Sequence, residues 1–435
     1  MVDKLALIGG KPVRNKPFPL QNSIGEEEKK AVIKVIESGQ LSGFIGEYCP
    51  EFDGGPEVQQ TEEKYAEYFG VKYAITVNSA TTALHTAIAA LGIGSGDEVI
   101  VTPYTMSASA TAIILQNACP VFVDICENTF CLDPEKIEDK ITEHTKAIMM
   151  VDIFGQPAHW DRLIDISRKY NLRIIEDGAQ AANATYKGKK ACTLGDLGIL
   201  SLNRHKIIHS GEGGVIFTND EELSIRCKLI RNHGETAVEH FNLSDISHTM
   251  GSNYRMNEIE AAIASAQLEK LNGLYDTRNN LAKYLTKKLN GLDGIITPYI
   301  QQNVTSSYYL YTMRFLSDVL NVKRETFCKA LKAEGIPTEE GYVKPLYLQK
   351  MYQQRAGRLK NAEGSFCGLC GNTKSSHCNF NEGICPIAEK MYYKEVIQGD
   401  FCHDPLTIND MDDIANAFYK VFENIEDLRE FERTK

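Results

Sequence analysis

No stretch of this 435-residue chain is apolar for long enough to cross a membrane. The opening, MVDKLALIGGKPVRNKPFPL, also lacks the continuous apolar run of a signal peptide. Positive charge is in short supply: 47 Lys and Arg stand against 58 Asp and Glu, a formal net charge of −11. That deficit argues against nucleic acid, which calls for a basic face, and against adhesion to anionic membrane surfaces. Neither an internal repeat nor a low-complexity linker is present. Cysteine is not scarce, at twelve, but it lacks the pattern of a disulfide framework. Cys119, Cys126, Cys192 and Cys227 are scattered singly through apolar runs, which suits small buried residues of a reduced, cytoplasmic protein.

What is there is an ordinary globular composition, 43% hydrophobic and 24% charged, on a chain long enough for two domains. From about residue 60 to 220, strand-like and helix-like segments alternate. EEKYAEYFG reads as a helix ending at Gly70, and the run after NSATT as a helix closing on Gly92. Between helices lie short β-branched runs such as YAITV, EVIVT, PVFVDI, LRIIED and GILSLN. Continuous apolar runs of that length are buried on both faces, which predicts an α/β fold with a mostly parallel central sheet sandwiched by helices. NEIEAAIASAQLEKLNGLYDTRNNLAKYLTKKLNGL then predicts a long helical region broken at Gly273. SSYYLYTMRF reads as a strand and RETFCKALKAEGIPT as a helix, so a smaller α+β domain is expected over 286–435. The large domain would span 1–285, with an N-terminal arm over about 1–25.

In such sheets, pocket chemistry collects at the carboxyl ends of strands and the amino ends of helices. Ser79, Thr81 and Thr82 in NSATTAL lie at a helix amino terminus, where free N–H groups, hydroxyls and the helix dipole attract an anion such as phosphate. A plain helix cap uses the same residue types. Asp177 ends the apolar strand LRIIED, where an acid is costly unless paired with a cation. Lys206, in SLNRHK, follows the strand GILSL into the same crevice, and GEGG after it reads as a turn returning the chain to a strand. Arg204 and His205 read as pocket-rim residues. A lysine can hold an aldehyde cofactor as a Schiff base while an acid keeps a pyridine nitrogen protonated. The cofactor this implies is pyridoxal 5′-phosphate.

The chain resembles the DegT/StrS family of pyridoxal-phosphate-dependent sugar aminotransferases, which have the type I fold of the aspartate aminotransferase superfamily. Six stretches match family motifs in order: the region from FDGGPEVQQ to VIVTPYT, VDIFGQPAHWDRL, IIEDGAQAANATYKGKKACTLGDLG, GEGGVIFTND, RNHGE and GSNYRMNEIEAAI. The resemblance implies that Thr81 and Thr82 hold the phosphate, that Ser201 donates a further bond to it, and that Asp177 pairs with the pyridine nitrogen. Gln180 would bond the ring hydroxyl, and Lys206 would form the Schiff base and shuttle protons. Asn253 would reach the phosphate of a neighbouring subunit, making the enzyme a homodimer, and His233 would lie near the substrate. The family commonly stacks an aromatic ring on the cofactor where this chain has Met106, whose thioether can cover a ring face. Some relatives carry histidine in place of the lysine and act as dehydratases. Here Lys206, five residues after Ser201 and five before Gly211, takes the reactive position rather than His205.

The function implied is amino transfer from an amino acid, L-glutamate first, to a keto-sugar. The sugar would be nucleotide-linked, in cell-surface polysaccharide or natural-product biosynthesis. The LALIGGKPVRNKPFP opening is also seen in inosose aminotransferases, so a cyclitol ketone is the alternative. A non-catalytic regulator would be expected to lose the lysine or gain a DNA-binding module, and this chain does neither. Cys367, Cys370, Cys378 and Cys385, with His377 among them, could close a zinc site. Their second half lacks paired spacing, so the preferred reading is an inserted active-site loop over about 364–386 that holds no metal.

Overall fold

A computed structural model describes residues 3–243, 245–354 and 379–434. Its centre is a seven-stranded sheet of β1 (Tyr73–Val77), β2 (Glu98–Val101), β3 (Cys119–Phe122), β4 (Thr145–Val151), β5 (Arg173–Asp177), β8 (Leu197–Ser201) and β9 (Gly214–Thr218). The spatial order is β1-β9-β8-β5-β4-β2-β3, and a separate hairpin, β6 (Thr185–Tyr186) and β7 (Lys189–Lys190), lies outside it. All pairings are parallel except those β9 makes with β1 and β8. The expected mostly parallel sheet is therefore present.

Side-chain alternation shows why helices cover both faces. Ile75, Ile199 and Ile216 enter one core cluster, whereas Ala74, Leu200, Val215 and Phe217 enter another across the sheet. The first is covered by α3 (Ala80–Ala90) and α4 (Ala108–Leu115), the second by α2 (Pro56–Phe69) and α7 (Glu258–Leu289). Each fully buried aliphatic or aromatic side chain contributes about 2 kcal/mol of hydrophobic stabilisation before entropy is counted. α2 ends on Gly70 at φ 70, as its sequence predicts.

A four-stranded antiparallel sheet, in the order β10-β11-β13-β12, builds the second body. Its strands are β10 (Ile295–Ile296), β11 (Tyr311–Phe315), β12 (Glu339–Glu340) and β13 (Val396–Gly399). Phe315, Phe327, Phe401 and Phe418 fill its core. SSYYLYTMRF is strand only from Tyr311, because the two tyrosines before it form a turn in which Tyr308 takes φ 45.

The break expected at Gly273 is absent. α7 runs unbroken for 32 residues, since a single glycine costs a helix interior about 1 kcal/mol and packing at both ends outweighs that. Ala261, Ala264, Leu268 and Leu271 belong to the first body's core, and Leu281, Leu285 and Leu289 to the second. Position 285 thus lies inside a helix that both cores share. The N-terminal segment also crosses between them: Leu5 packs in the second core, while Ser23 Oγ donates to Gln267 Oε1 of α7 at 2.7 Å.

Eight described cysteines are free thiols, Cys126, Cys192 and Cys227 among them. Cys119 departs from that expectation and is disulfide-bonded. Of the cysteine-rich cluster only Cys385 is described; Cys367, Cys370, His377 and Cys378 lie outside the described residues. Cys385 is fully buried. Among the described residues no helix is long and apolar enough to cross a membrane.

Candidate active site

The carboxyl ends of β4, β5 and β8 face the amino end of α3 across an open cleft of about 330 Å³. Asp177 is the last residue of β5, paired in register with Val151 on one side and Ile199 on the other. Its Oδ2 accepts from Ser109 Oγ at 2.7 Å and its Oδ1 from Ala179 N–H at 3.3 Å. Burial pushes the Asp177 carboxyl above its usual range; the Ser109 and Ala179 donors and the charge of Lys206 oppose that push without cancelling it. The buried acid is undercompensated and would be completed by a protonated partner in the cleft.

Lys206 follows β8 by five residues and enters the cleft beside Asp177, its Nζ 4.4 Å from the centre of the Tyr309 ring. Burial lowers its pKa to about 8, with Asp177 pulling the other way. At neutral pH this leaves a far larger neutral fraction than an exposed lysine would have, as a nucleophilic amine needs.

GEGG is the turn between β8 and β9, closed by Leu202 N–H to Gly213 O at 3.0 Å and Arg204 N–H to Gly211 O at 3.0 Å. Gly213 sits at φ 144. Gly214 opens β9 opposite Ser201, and a Cβ on it would stand 2.7 Å from Ala80 N, so glycine lets the strand reach the α3 amino terminus. At that terminus Ser79 is the cap, its Oγ accepting from Thr82 N–H at 3.2 Å. The N–H groups of Ala80 and Thr81 belong to the first turn and have no partner among the described residues. The segment thus has its cap and, beside it, helix N–H groups left open to the cleft.

Of the residues singled out in the sequence, Thr81, Met106, Asp177, Gln180, Ser201 and Lys206 line the cleft. Thr82 does not; its hydroxyl donates to Asn78 Oδ1 at 2.7 Å. Gln180 is held from both sides, its Oε1 accepting from Phe154 N–H at 2.8 Å and its Nε2 donating to Tyr342 Oη at 2.9 Å. Met106 is half exposed, with Ala108 N–H donating to its Sδ at 3.0 Å. His205 reaches the rim and Arg204 is exposed. His233 and Asn253 stand together outside this cleft, His233 at φ 68 beside an Asn232–Asn253 bridge. Asn253 is exposed, and its Oδ1 accepts from Arg255 Nε at 2.9 Å.

Sequence reasoning missed Ser109, Tyr309 and Tyr342. Ser109 could have been found, since it lies in the first turn of α4, four residues beyond Thr105 on the connection from β2. Nothing local marks the two tyrosines, which come from the second body. Behind Asp177, Glu176 and Asp152 are fully buried; burial and mutual repulsion hold the Asp152 acid well above its usual range.

The fold has close counterparts among solved structures. The aminotransferase from Psychrobacter cryohalolentis superposes with a TM-score of 0.79 at 30% identity, covering 94% of this chain and all of that one. A strand-end lysine and acid facing a helix amino terminus, on this sheet, define a fold type I pyridoxal-phosphate-dependent aminotransferase. Residues 22–368 match the DegT/DnrJ/EryC1/StrS aminotransferase family, and the chain belongs to it. GDP-perosamine synthase of Caulobacter vibrioides is 37% identical over 357 residues, 82% of this chain and 91% of that protein. L-glutamine:scyllo-inosose aminotransferase of Streptomyces griseus is 30% identical over 438 residues, 98% of this chain and 100% of that protein. The chain is thus an aminotransferase, and its cofactor is pyridoxal 5′-phosphate.

Proposed function

We propose that this enzyme moves the amino group of an amino acid, L-glutamate in our reading, to the keto group of a nucleotide-linked sugar. It would do so in the cytoplasm, in the making of cell-surface polysaccharide or a natural product. The observation that carries the reading is the convergence of Lys206 and undercompensated Asp177 in one cleft with the free N–H groups of α3. When bound, pyridoxal phosphate supplies an aldehyde that takes up the amino group and a ring that accepts the electrons of the substrate C–H bond.

The chain's own residues do the rest. Lys206 anchors the cofactor through Nζ, then moves the proton at the substrate carbon, a task its lowered pKa suits. Asp177 holds a proton on the pyridine nitrogen, and Gln180, itself pinned by Phe154 and Tyr342, bonds the ring hydroxyl. Thr81 and Ser201 hold the phosphate at the α3 amino terminus, where the dipole favours an anion; Thr82, turned to Asn78, supports the cap rather than the phosphate. Met106 covers the ring face from the rim. Asn253, at the phosphate of a second copy, makes the active unit a homodimer, a reading its exposed place outside its own cleft supports; His233 would lie near the substrate.

A second reading, a keto-cyclitol acceptor, is favoured by one observation: the inosose aminotransferase relative aligns over 98% of this chain, against 82% for the perosamine one. Purified holoenzyme should lose its visible absorbance when L-glutamate or L-glutamine is added, and regain it with the true keto acceptor. Nucleotide-linked keto-sugars and scyllo-inosose, compared with product mass spectrometry, decide between the readings. Borohydride reduction should attach the cofactor to Lys206, and sedimentation should give a dimer. Attachment to another lysine, or amino transfer to neither class, overturns the proposal.

A further inference from the structure

Two residues far apart in sequence meet beneath Lys206. Arg278 lies in α7 with 2% of its surface exposed, yet makes no ion pair shorter than 3.7 Å, the distance from its Nη1 to Asp400 Oδ1. Its donors go to neutral oxygens instead. Nη1 donates to Tyr308 O at 2.9 Å and Tyr309 O at 3.4 Å, and Nη2 to Gln21 Oε1 at 2.7 Å. Gln21, on the N-terminal segment, passes the connection on: its Nε2 donates to Lys206 O at 3.0 Å and Ile207 O at 3.3 Å.

One guanidinium therefore ties together the backbone that carries the lysine and the backbone that carries the ring facing it. The second backbone needs tying. Tyr308 sits at φ 45, a conformation that a bulky residue holds only where its surroundings impose it. The segment has further anchors in Ser307 N–H to Gly155 O at 2.9 Å and Tyr309 N–H to Phe154 O at 3.0 Å. Those tie it to the first body, whereas the Arg278–Gln21 link connects it by hydrogen bonds to the lysine turn. The Tyr309 ring that results closes one side of the amine's surroundings.

We propose that Arg278 and Gln21 form a positioning clamp that holds the Lys206 amine and the Tyr309 ring in fixed register, keeping the amine desolvated and aimed into the cleft. The proposal rests on the reading of Lys206 as the reactive amine. A buried guanidinium spent on three neutral oxygens suits a geometric role: its rigid planar fork sets the directions of its acceptors from two separate nitrogens, whereas an ammonium is a single rotating donor. The lowered pKa of Lys206 agrees with the amine being kept from water. The titratable groups that face it in the cleft are Asp177, His205, Glu212, Tyr309 and Tyr342.

The test is the titration of Lys206 in the cofactor-free protein, followed by competitive acetylation and peptide mass spectrometry. The wild-type midpoint should fall at about 8. Gln21→Ala, Arg278→Met and Arg278→Lys should each raise it by about one pH unit, because water reaches an amine no longer held against the ring. In the holoenzyme the same variants should lower kcat about tenfold or more with the donor KM within about twofold, a loss of alignment rather than of binding. Arg278→Lys is the sharpest arm: it keeps the charge and loses the fork. Wild-type midpoint and kcat in that variant would make the role electrostatic and overturn the clamp. So would variants that melt earlier but titrate and turn over as wild type does. Should the Arg278 variants fail to fold, Gln21→Ala decides alone. Borohydride trapping on the same proteins separates the two claims. Cofactor found on another lysine overturns the assignment of Lys206, whereas trapping on Lys206 with unmoved midpoints overturns only the clamp.

Discussion

Replacing Lys206 by methionine should make the cofactor-free protein more stable at neutral pH, although the variant cannot turn over. The amine titrates at about 8 in the fold, against 10.5 when exposed. Holding its proton in the fold instead of in water costs 2.303RT for every pH unit between those values, about 3 kcal/mol. The attraction of Asp177 is already counted in that figure. Methionine keeps nearly the same length and volume without a charge. For 435 residues, at about 2 cal/mol/K of unfolding entropy each, ~3 kcal/mol corresponds to roughly 3 °C in Tm. The sign of the pH dependence follows from the same pair of values. Below pH 8 the lysine is protonated folded and unfolded, and the full cost stands. From 8 to 10.5 the unfolded chain binds the proton that the folded one has lost, so wild-type stability rises relative to the variant. Above 10.5 the two should converge. Thermal melts of cofactor-stripped proteins at pH 7, 8.5 and 10, at matched concentration because any self-association would add stability, read this directly. Lys206→Arg, permanently charged, should show no gain at pH 7. A methionine variant no more stable than wild type at pH 7, or a gain that does not shrink towards pH 10, would refute the burial of a strained ammonium.

Asp177→Asn should keep cofactor affinity within a few-fold but lower transamination by a hundredfold or more, on the order of 3 kcal/mol, because an amide cannot hold a pyridinium proton. Equilibrium dialysis and single-turnover absorbance measure the two halves; activity within about tenfold of wild type would remove Asp177 from that role. Gly214→Ala should weaken pyridoxal-phosphate binding and lower stability by about 1–3 kcal/mol, since its Cβ would stand 2.7 Å from Ala80 N and push the α3 amino terminus away. Fluorescence titration showing unchanged affinity would mean that the helix end is not held by this approach.

How much of this was legible in the sequence depends on how local each cause is. Asp177 and Lys206 could be placed because a charged residue closing an apolar strand is a local signal, and both strands end where expected. The parallel sheet was legible for the same reason: EVIV and CPVF are buried at every position. Tyr309 was not, because SSYYLYTMRF carries one continuous strand pattern. What delays the strand to Tyr311 is an irregular segment held by Arg278, thirty residues away at Tyr308. Gly273 misled for the complementary reason, its propensity being overridden by two cores that only the folded chain brings onto one helix. Thr82 was placed by its neighbourhood alone, and its turn towards Asn78 is a matter of rotamer.

The unbroken α7 also bears on how such enzymes could be recombined. A joint at residue 285, where composition suggests one body ends, would cut a helix of roughly 48 Å at a residue buried in the second core, four turns downstream of residues buried in the first. A second body borrowed from a relative at that joint would bring its own half of the rod, to be fitted against an Arg278 and a Gln21 that stay behind. An exchange that respects the physics would transfer α7 entire, with Gln21, and leave the strand ends behind.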